Sequence, residues 1–431
     1  MNKKKVITYF RIFETIFEKI KKIKFFFLST LMSCSPKVAS YGIILMLGSI
    51  QFGFILNYGG LPIESLKEIY PDWDYEKDDQ KISFFSNFAS LFGCLGGFLI
   101  LLSTRYLGVK KTICIFNIVN CILWFLYFAF TPDKFILGIV LRCIQGLLTG
   151  GLACLTPIHI TNLSPDETVG MLGCLNQVGI VLGMVVFSIA ATFTNFRTLA
   201  IIGAVVDLVQ AGAIFILPKE KVDKDKTESI FHIKHIRGIF VVLLLMIFQQ
   251  FCGINAINSN LSSIMSETGI YIDENLQVAL ASMAQLVSVF VAAFNMDGVG
   301  RRKMFVFSAC LIVVAQIFYI VCLNINTDGW IKATCVFLYL LSFGQGLGPV
   351  PWFVCHDVFP KSIRLEGQAL VTFINMICSF AITYLFPVMK DNIEEYLIMV
   401  IFMCITICSI PFGWFFIPKK NEVNDDNLTL I

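Results

Sequence analysis

The stretch FQQFCGINAINSN, residues 248–260, places five amide side chains inside a long hydrophobic run. They are Gln249, Gln250, Asn255, Asn258 and Asn260. At about 100° per residue, these side chains would point to several sides of one straight helix and could not face a common cavity. Gly253 lies between them, and glycine costs about 1 kcal/mol relative to alanine in a helix interior. We therefore predict that the helix breaks near Gly253 and frees backbone carbonyl and N–H groups for a ligand.

Long hydrophobic runs of this kind make up most of the chain. It is 57% hydrophobic and 15% charged, whereas soluble domains are roughly 45–50% apolar and 25% charged. Twelve runs are each near or above the length that crosses a bilayer as a helix, which is roughly 18 residues. They begin near Ser40, Ile82, Thr112, Phe135, Val169, Thr198, Gly238, Asn275, Met304, Ala333, Gly367 and Tyr396. The composition therefore predicts an all-α integral membrane protein with twelve transmembrane helices.

The charged residues between the runs set the orientation of the chain in the membrane. With the N-terminus on the cytoplasmic side, 25 of the 33 Lys and Arg residues fall in cytoplasmic segments and 7 fall outside. An excess of Lys and Arg marks the cytoplasmic side, so both termini are predicted to be cytoplasmic. The net charge of +3 is an average over the two faces and indicates no nucleic-acid partner.

A weak internal repeat divides the chain into two halves of six helices. Gly108 and Gly300, each followed by two basic residues, lie 192 positions apart, and Pro165 and Pro360 lie 195 apart. Such duplicated halves are typical of transporters that bind their substrate near the midplane. The predicted segments are a cytoplasmic basic N-terminal segment (1–39), an N-terminal half (40–217), a cytoplasmic central loop (218–237), a C-terminal half (238–417) and a short cytoplasmic tail (418–431).

Polar residues within the runs indicate which surfaces face water. Besides the opening stretch, the runs contain five further amide side chains: Gln51, Asn176, Gln177, Gln285 and Asn375. Any one of them could instead hold two helices together. The tenth run contains FGQGLGPVPWF, residues 343–353, whose glycines and prolines predict a second broken helix next to Trp352. The spread of these amides over several helices favours a shared polar cavity. Amides donate and accept hydrogen bonds as hydroxyls do, so a neutral polyhydroxy solute fits such a cavity better than an ion.

At these residues the chain resembles the sugar porter branch of the major facilitator superfamily, and in particular the facilitative hexose transporters. The resemblance covers residues 40–417. It rests on GSIQFGF (48–54), NQVGIVLG (176–183), QQFCGIN (249–255), DGVGRRK (297–303) and GPVPWFVCHDVFP (348–360) followed by Arg364. The last four motifs together are highly specific to that family.

The resemblance implies roles for individual residues and a transporter without cofactor or metal. Sugar contacts are expected from Gln177, Gln249, Gln250, Asn255, Gln285, Trp352 and Asn375. An inner-face ion network that clamps the two halves is expected from Asp297, Arg301, Arg302, Asp357 and Arg364. An outer gate is expected at Asn258, Ser259 and Asn260, where the family has aromatic residues. We therefore predict that this gate, when closed, excludes water less completely. The expected partners are a small neutral sugar and the lipid bilayer, most naturally the plasma membrane, and the oligomeric state stays open.

Departures from the family pattern refine the mechanism. Proton-coupled members carry an aspartate where this chain has Ile55, which favours passive uniport. Asn162 stands where a glutamate is expected, so we predict that the inner clamp depends mainly on the C-terminal half. Two charged residues lie within the runs, Arg142 and Asp207. Asp207 is expected to be protonated or hydrogen-bonded between helices, and pairing with Arg142 is the alternative.

Other functions compete with hexose uniport. A proton-coupled sugar symporter could use Asp207. A non-transporting sugar sensor is disfavoured, because sensors of this type signal through a long cytoplasmic tail and residues 418–431 are few. No phosphate-binding loop, HExxH motif or nucleophile motif points to an enzyme. The 15 cysteines have no metal or disulfide spacing and are predicted to be small apolar residues in helix cores.

Overall fold

The computed structural model describes residues 36–59, 61–75, 77, 79–165, 167–218, 229–259, 261, 274–325 and 327–419. The regular structure of these residues is helical throughout. Six helices form the first half: α1 (Pro36–Asn57), α2 (Asp79–Leu107), α3 (Val109–Leu126), α4 (Phe135–Leu163), α5 (Val169–Phe193) and α6 (Phe196–Ala213). Six form the second: α7 (Ile236–Phe251, continued by Ile254–Ser259), α8 (Glu274–Val299), α9 (Arg301–Asn324), α10 (Gly329–Gly344), α11 (Arg364–Asn392) and α12 (Glu395–Phe416). Three short α-helices, Leu61–Ile69, Val350–Phe353 and Cys355–Val358, and four 3-10 turns, Tyr127–Ala129, Pro132–Lys134, Ile214–Ile216 and Ile233–His235, complete the described set.

The twelve predicted transmembrane helices are confirmed. Each begins within four residues of the start predicted from the hydrophobic runs. Eleven of the described helical segments are long and apolar enough to cross a membrane, and the shorter apolar helix Gly329–Gly344 is the remaining one. That helix is short because glycines and prolines interrupt the tenth run directly after it, at residues 344–351.

Helix packing brings the two halves together along two seams. Within the first half α2 packs on α4, α1 on α5 and α3 on α6; within the second, α9 packs on α12, α8 on α10 and α7 on α11. Across the halves α5 packs on α8, and α2 packs on α11. Small residues allow close contact: a Cβ at Gly53 or Gly183 would overlap a carbonyl oxygen of the facing helix in the α1–α5 pair.

The predicted break in the seventh helix is confirmed. α7 ends at Phe251 and resumes at Ile254. Between these segments Gly253 adopts a φ of 98°, in the left-handed region that favours glycine. A Cβ at this position would also lie 2.6 Å from the ring of Phe402 in α12.

We expect Gly253→Ala to lower the melting temperature of the detergent-solubilised protein by several degrees. The substitution adds both backbone strain, about 1–3 kcal/mol, and the overlap with Phe402. Gly212→Ala in α6 is the matched control, because a Cβ there meets nothing within 4 Å. Equal melting temperatures for the two variants would show that the turn at Gly253 tolerates a side chain.

Several predicted segments lie wholly or mostly outside the described residues. They are the basic segment 1–39, of which 36–39 already belong to α1, the central loop 218–237, of which 219–228 are not described, and the tail 418–431. Asn260 of the predicted outer gate is also outside the described residues.

Candidate functional site

Four amides meet at the break of α7. We call Gln249, Gln250, Asn255 and Asn375 the amide cluster. The Asn375 amide of α11 donates to Gln249 Oε1 at 2.9 Å, and Gln250 Nε2 lies 3.4 Å from the same oxygen. Asn255, on the second segment of α7, donates to Gln250 Oε1 and, at 2.7 Å, to Ser379 Oγ of α11. The break thus places amides from both segments of α7 in one hydrogen-bonded group.

The broken tenth helix contributes backbone carbonyls to this cluster. Gln249 Nε2 donates to the carbonyl oxygens of Leu347, at 3.2 Å, and Gly348, at 2.6 Å. These carbonyls belong to the interruption between Gly344 and Val350, where the regular helix ends. Directly after it, Trp352 is buried and packs edge-on against Phe52 of α1, with ring centroids 6.3 Å apart. The indole therefore lies where the two halves meet.

One expectation about the α7 break is wrong. The carbonyl of Cys252 is freed from the helix, but it is not open to a ligand. It accepts hydrogen bonds from Gln316 of α9 at 2.9 Å and from Tyr339 of α10 at 3.2 Å. The side chains of Gln316 and Tyr339 therefore satisfy the Cys252 carbonyl and stabilise the break.

Two other predicted sugar-contacting residues are buried on α5 and α8. Gln177 lies one turn after Gly173 on α5, and Gly173 packs against Phe353, next to Trp352. Gln285 of α8 is buried, and its Oε1 has no hydrogen-bond partner among the described residues.

The remaining amides from the sequence analysis hold helices of the first half together. Asn176 accepts a hydrogen bond from Ser49 at 2.7 Å, joining α5 to α1. Gln51 donates to Asp207 Oδ2 at 3.0 Å, joining α1 to α6, and Asn120 of α3 donates to the same oxygen at 2.9 Å. Asp207 is therefore an interhelical hydrogen-bond acceptor, 0% exposed.

The Arg142–Asp207 pair considered above does not form. Arg142 is 1% exposed and instead donates to backbone carbonyls: Ile55 at 2.9 Å and Phe85 at 3.1 Å. Its guanidinium also lies over the Phe85 ring. The carbonyl of Ile55 thus binds this arginine at the position where proton-coupled members carry an aspartate.

The predicted inner-gate residues all lie at the face that holds the α8–α9 connection, which is the predicted cytoplasmic face. Arg301 forms an ion pair with Asp357 at 2.9 Å, with exposed fractions of 8% and 1%. Asp297 spans the halves: its two carboxylate oxygens accept the backbone N–H groups of Gly170, at 2.9 Å, and Met171, at 2.7 Å, in the first turn of α5. A carboxylate is stabilised at a helix N-terminus by the helix dipole and the free N–H groups.

Two further arginines complete this face. Arg364 Nη1 donates to Asn162 Oδ1 of the first half at 3.3 Å, and its Nε donates to the Phe359 carbonyl. Arg302 donates to the carbonyl of Ile417, at the C-terminus of α12, at 2.7 Å. The Asp297 and Arg364 contacts therefore connect the two halves at this face.

The predicted outer gate is only partly covered by the structure. Asn258 is half-buried on the second segment of α7, the backbone of Ser259 ends that helix, and the side chain of Ser259 and all of Asn260 are outside the described residues. The role of this segment stays a prediction.

Sequence reasoning missed three residues that support the site. Ser379 lies one turn after Asn375 on α11, so the spacing of four residues could have placed both on one helix face. Gln316 and Tyr339 left no such signal, because the carbonyl that they bind lies 64 and 87 residues away.

Comparison with known proteins identifies the family. A family model described as "Sugar (and other) transporter" matches residues 41–221 and 218–424, which is most of the chain. The chain belongs to this family. The sugar transporter assignment makes it a membrane transport protein of the major facilitator superfamily and not an enzyme. The junction of the two matches falls in the central loop between α6 and α7.

Individual relatives of this sugar transporter are distant. The "Facilitated trehalose transporter Tret1" of Bombyx mori is 26% identical over 376 residues, which are 76% of this chain and 73% of that protein. The protein of the same name from Apis mellifera ligustica is 25% identical over 324 residues, 62% of this chain and 64% of that protein. The match therefore spans slightly less than two thirds of the honeybee protein.

Solved structures share the fold. The proton:xylose symporter XylE bound to 6-bromo-6-deoxy-D-glucose superposes with a TM-score of 0.78 at 18% identity, covering 89% of this chain and 97% of that one. The inward open conformation of XylE from E. coli gives a TM-score of 0.71 at 18% identity, covering 91% and 99%. This likeness establishes the twelve-helix major facilitator fold.

Proposed function

We propose that this sugar transporter carries a hexose of the glucose type by alternating access, as a facilitative uniporter in the plasma membrane. The observation that carries the proposal is the amide cluster at the α7 break. Its four members bear no charge and both donate and accept hydrogen bonds, and the cluster contacts the interruption after α10 that precedes the buried Trp352. Neutral hydroxyls suit such groups, because each hydroxyl also donates and accepts.

Substrate binding would proceed by exchange of hydrogen bonds. In the described structure the amides of the cluster satisfy one another and the carbonyls of Leu347 and Gly348. A sugar hydroxyl can replace one amide partner at little net cost, since a protein–protein bond is exchanged for a protein–ligand bond. Gln177 and Gln285 are proposed to complete the site from α5 and α8, and Trp352 to cover an apolar face of the ring.

A second candidate substrate is trehalose. The relatives described above are named facilitated trehalose transporters, and trehalose is a neutral disaccharide of glucose. The same amide chemistry would serve either sugar, so the length of the cavity would decide between them.

The experiment that tests the proposal is uptake of radiolabelled glucose, fructose and trehalose into cells that lack hexose carriers and express this chain. Saturable glucose uptake supports the proposal. Trehalose uptake without hexose uptake replaces it with the second candidate. Surface expression without saturable uptake of any of the three sugars rejects it.

Uniport is proposed because backbone carbonyls satisfy the Arg142 guanidinium, in place of the aspartate that proton-coupled members carry. Three backbone carbonyls, of Ile55, Phe85 and Ser86, surround its guanidinium at 2.9–3.4 Å. The rival mechanism is proton-coupled symport through Asp207, which is buried among amides of α1 and α3.

We expect Asp207→Asn to retain at least about half of the uptake, and a protonophore to leave wild-type uptake unchanged. The asparagine oxygen has two lone pairs and can still accept from Gln51 and Asn120. Initial uptake rates with and without the protonophore provide the measurement, and Asn117→Leu, which removes a buried amide bonded within its own helix, is the control. Loss of concentrative uptake in Asp207→Asn alone would favour symport.

The inner clamp is proposed to depend on the C-terminal half because Asp297 binds backbone groups of α5. Backbone N–H groups are present whatever the side chains are, so the first half can lose its charged residues without losing this contact. We expect Asp297→Ala to shift the protein about 10-fold toward an open inner face, since a charge at a helix N-terminus contributes up to about 2 kcal/mol.

Labelling of Cys355 by a water-soluble maleimide in inside-out vesicles measures this opening. Cys355 is 0% exposed and lies on the short segment that packs against α4 of the other half. Asn162→Ala is the matched variant, because it removes only the 3.3 Å bond to Arg364. Faster labelling in Asn162→Ala than in Asp297→Ala would contradict the proposed dominance of the C-terminal half.

A further inference from the structure

Two cysteines meet at the outer end of the α9–α10 pair. Cys322 lies in the last turn of α9 and Cys335 in the second turn of α10. Their sulfur atoms are 3.8 Å apart, and the residues are 7% and 5% exposed. Among the cysteines that the structure describes, no other two have sulfur atoms in contact. Their 13-residue separation gave no signal in the sequence, because cysteines recur throughout the hydrophobic runs.

We propose that Cys322 and Cys335 form a disulfide in the mature transporter. A disulfide has a sulfur–sulfur length of about 2.05 Å, so the two sulfurs must approach by about 1.8 Å, which rotation of the side chains at two adjacent helix ends can supply. The residues between α9 and α10 lie on the face opposite the cytoplasmic termini. That side is exposed to an oxidising compartment during secretory synthesis, where disulfides form and persist.

A disulfide oxidant in that compartment accepts the electrons that the two thiols lose. One thiol loses its proton and attacks the disulfide of a thiol–disulfide oxidoreductase, forming a mixed disulfide. The second thiolate then attacks the transporter sulfur and releases the oxidant as a dithiol. The protein loses two electrons and two protons, and the oxidant gains them. Both cysteines line a groove of about 390 Å³ together with Trp330 and Thr334.

The crosslink would join the two helices that support the α7 break. Gln316 lies six residues before Cys322 on α9, and Tyr339 lies four residues after Cys335 on α10. Both side chains donate to the carbonyl of Cys252. A disulfide one to two turns away would fix the spacing of α9 and α10, and with it the position of the break that presents the amide cluster.

Differential alkylation tests whether the disulfide exists. Membranes from a eukaryotic expression host are dissolved in acidic SDS, free thiols are blocked with N-ethylmaleimide, and disulfides are then reduced and labelled with iodoacetamide before peptide mass mapping. Cys322 and Cys335 are expected to carry the second label, and Cys408, an exposed cysteine of α12, the first. The first label on both residues of the pair would overturn the proposal.

Thermal melting tests whether Cys322 and Cys335 stabilise the protein through one shared disulfide. Cys322→Ser, Cys335→Ser and the double variant should each melt lower than wild type by the same amount, roughly 3–6 °C, because either change removes the same crosslink. Reductant should lower the melting temperature of the wild type and of Cys408→Ser, and should leave the three variants of the pair unchanged. Additive single variants that still respond to reductant would mean that the two thiols are separate packing residues.

Discussion

Replacing Gln249 with leucine should lower sugar uptake by about 100-fold while the protein still reaches the membrane. Gln249 is the centre of the amide cluster: it donates to Leu347 and Gly348 and accepts from Asn375. Without it, two carbonyls and the amides of Asn375 and Gln250 lose a partner, and each buried unpaired group costs about 1–3 kcal/mol. The loss falls on the sugar-bound and the occluded states, so we expect both a higher KM and a lower maximal rate.

Initial rates of glucose uptake, normalised to surface protein, measure this effect. Asn117→Leu is the matched control, since it also removes a buried amide but one that donates to the Ile113 carbonyl of its own helix. Gln249→Asn keeps the amide on a shorter side chain and should recover little, because the carbonyls are reached at 2.6–3.2 Å by the full-length side chain. Uptake by Gln249→Leu within 2-fold of the control would remove the amide cluster from the transport site.

The fold follows from hydrophobic runs and charge placement because these features act locally. A bilayer demands about 20 apolar residues per helix, so each run defines its helix without reference to distant residues. The break at Gly253 was equally local: amides on opposite sides of one helix and a glycine between them were sufficient. The same reasoning anticipated the interruption that follows α10, where Gly346, Gly348 and Pro349 fall within a few residues.

The partners of the predicted polar residues could not be obtained in this way. Asp297 and Arg142 bind backbone groups, which every residue possesses, so no side-chain pattern marks the partner position. The sequence predicts backbone groups free for a ligand near Gly253, and only the structure shows that Gln316 of α9 binds the carbonyl of Cys252 at this break. Sequence patterns identified polar residues correctly but could not separate those in the cavity from those, such as Gln51, that join helices.

Replacing Asp357 with asparagine should reduce uptake by about 100-fold or more and lower the melting temperature. Arg301 would keep its charge at 8% exposure without the carboxylate that lies 2.9 Å away. Removing one partner of a buried ion pair costs about 3–5 kcal/mol, because the remaining charge is uncompensated. Asp357 also contacts His356 at 3.2 Å, so its loss would disturb the short segment that packs against α4.

A double-mutant cycle separates the ion pair from a general disturbance of the inner face. Arg301→Gln alone leaves Asp357 buried without its arginine, whereas Arg301→Gln with Asp357→Asn leaves two neutral groups. The double variant should therefore recover part of the uptake and of the melting temperature lost in either single variant, with a coupling of about 1–3 kcal/mol. Arg302→Gln is the control, since Arg302 donates to the Ile417 carbonyl of the C-terminal half. Strictly additive losses in the cycle would assign the effect of Asp357 to its contacts with the segment and not to Arg301. The clamp would then have to rest on Asp297 and the first turn of α5.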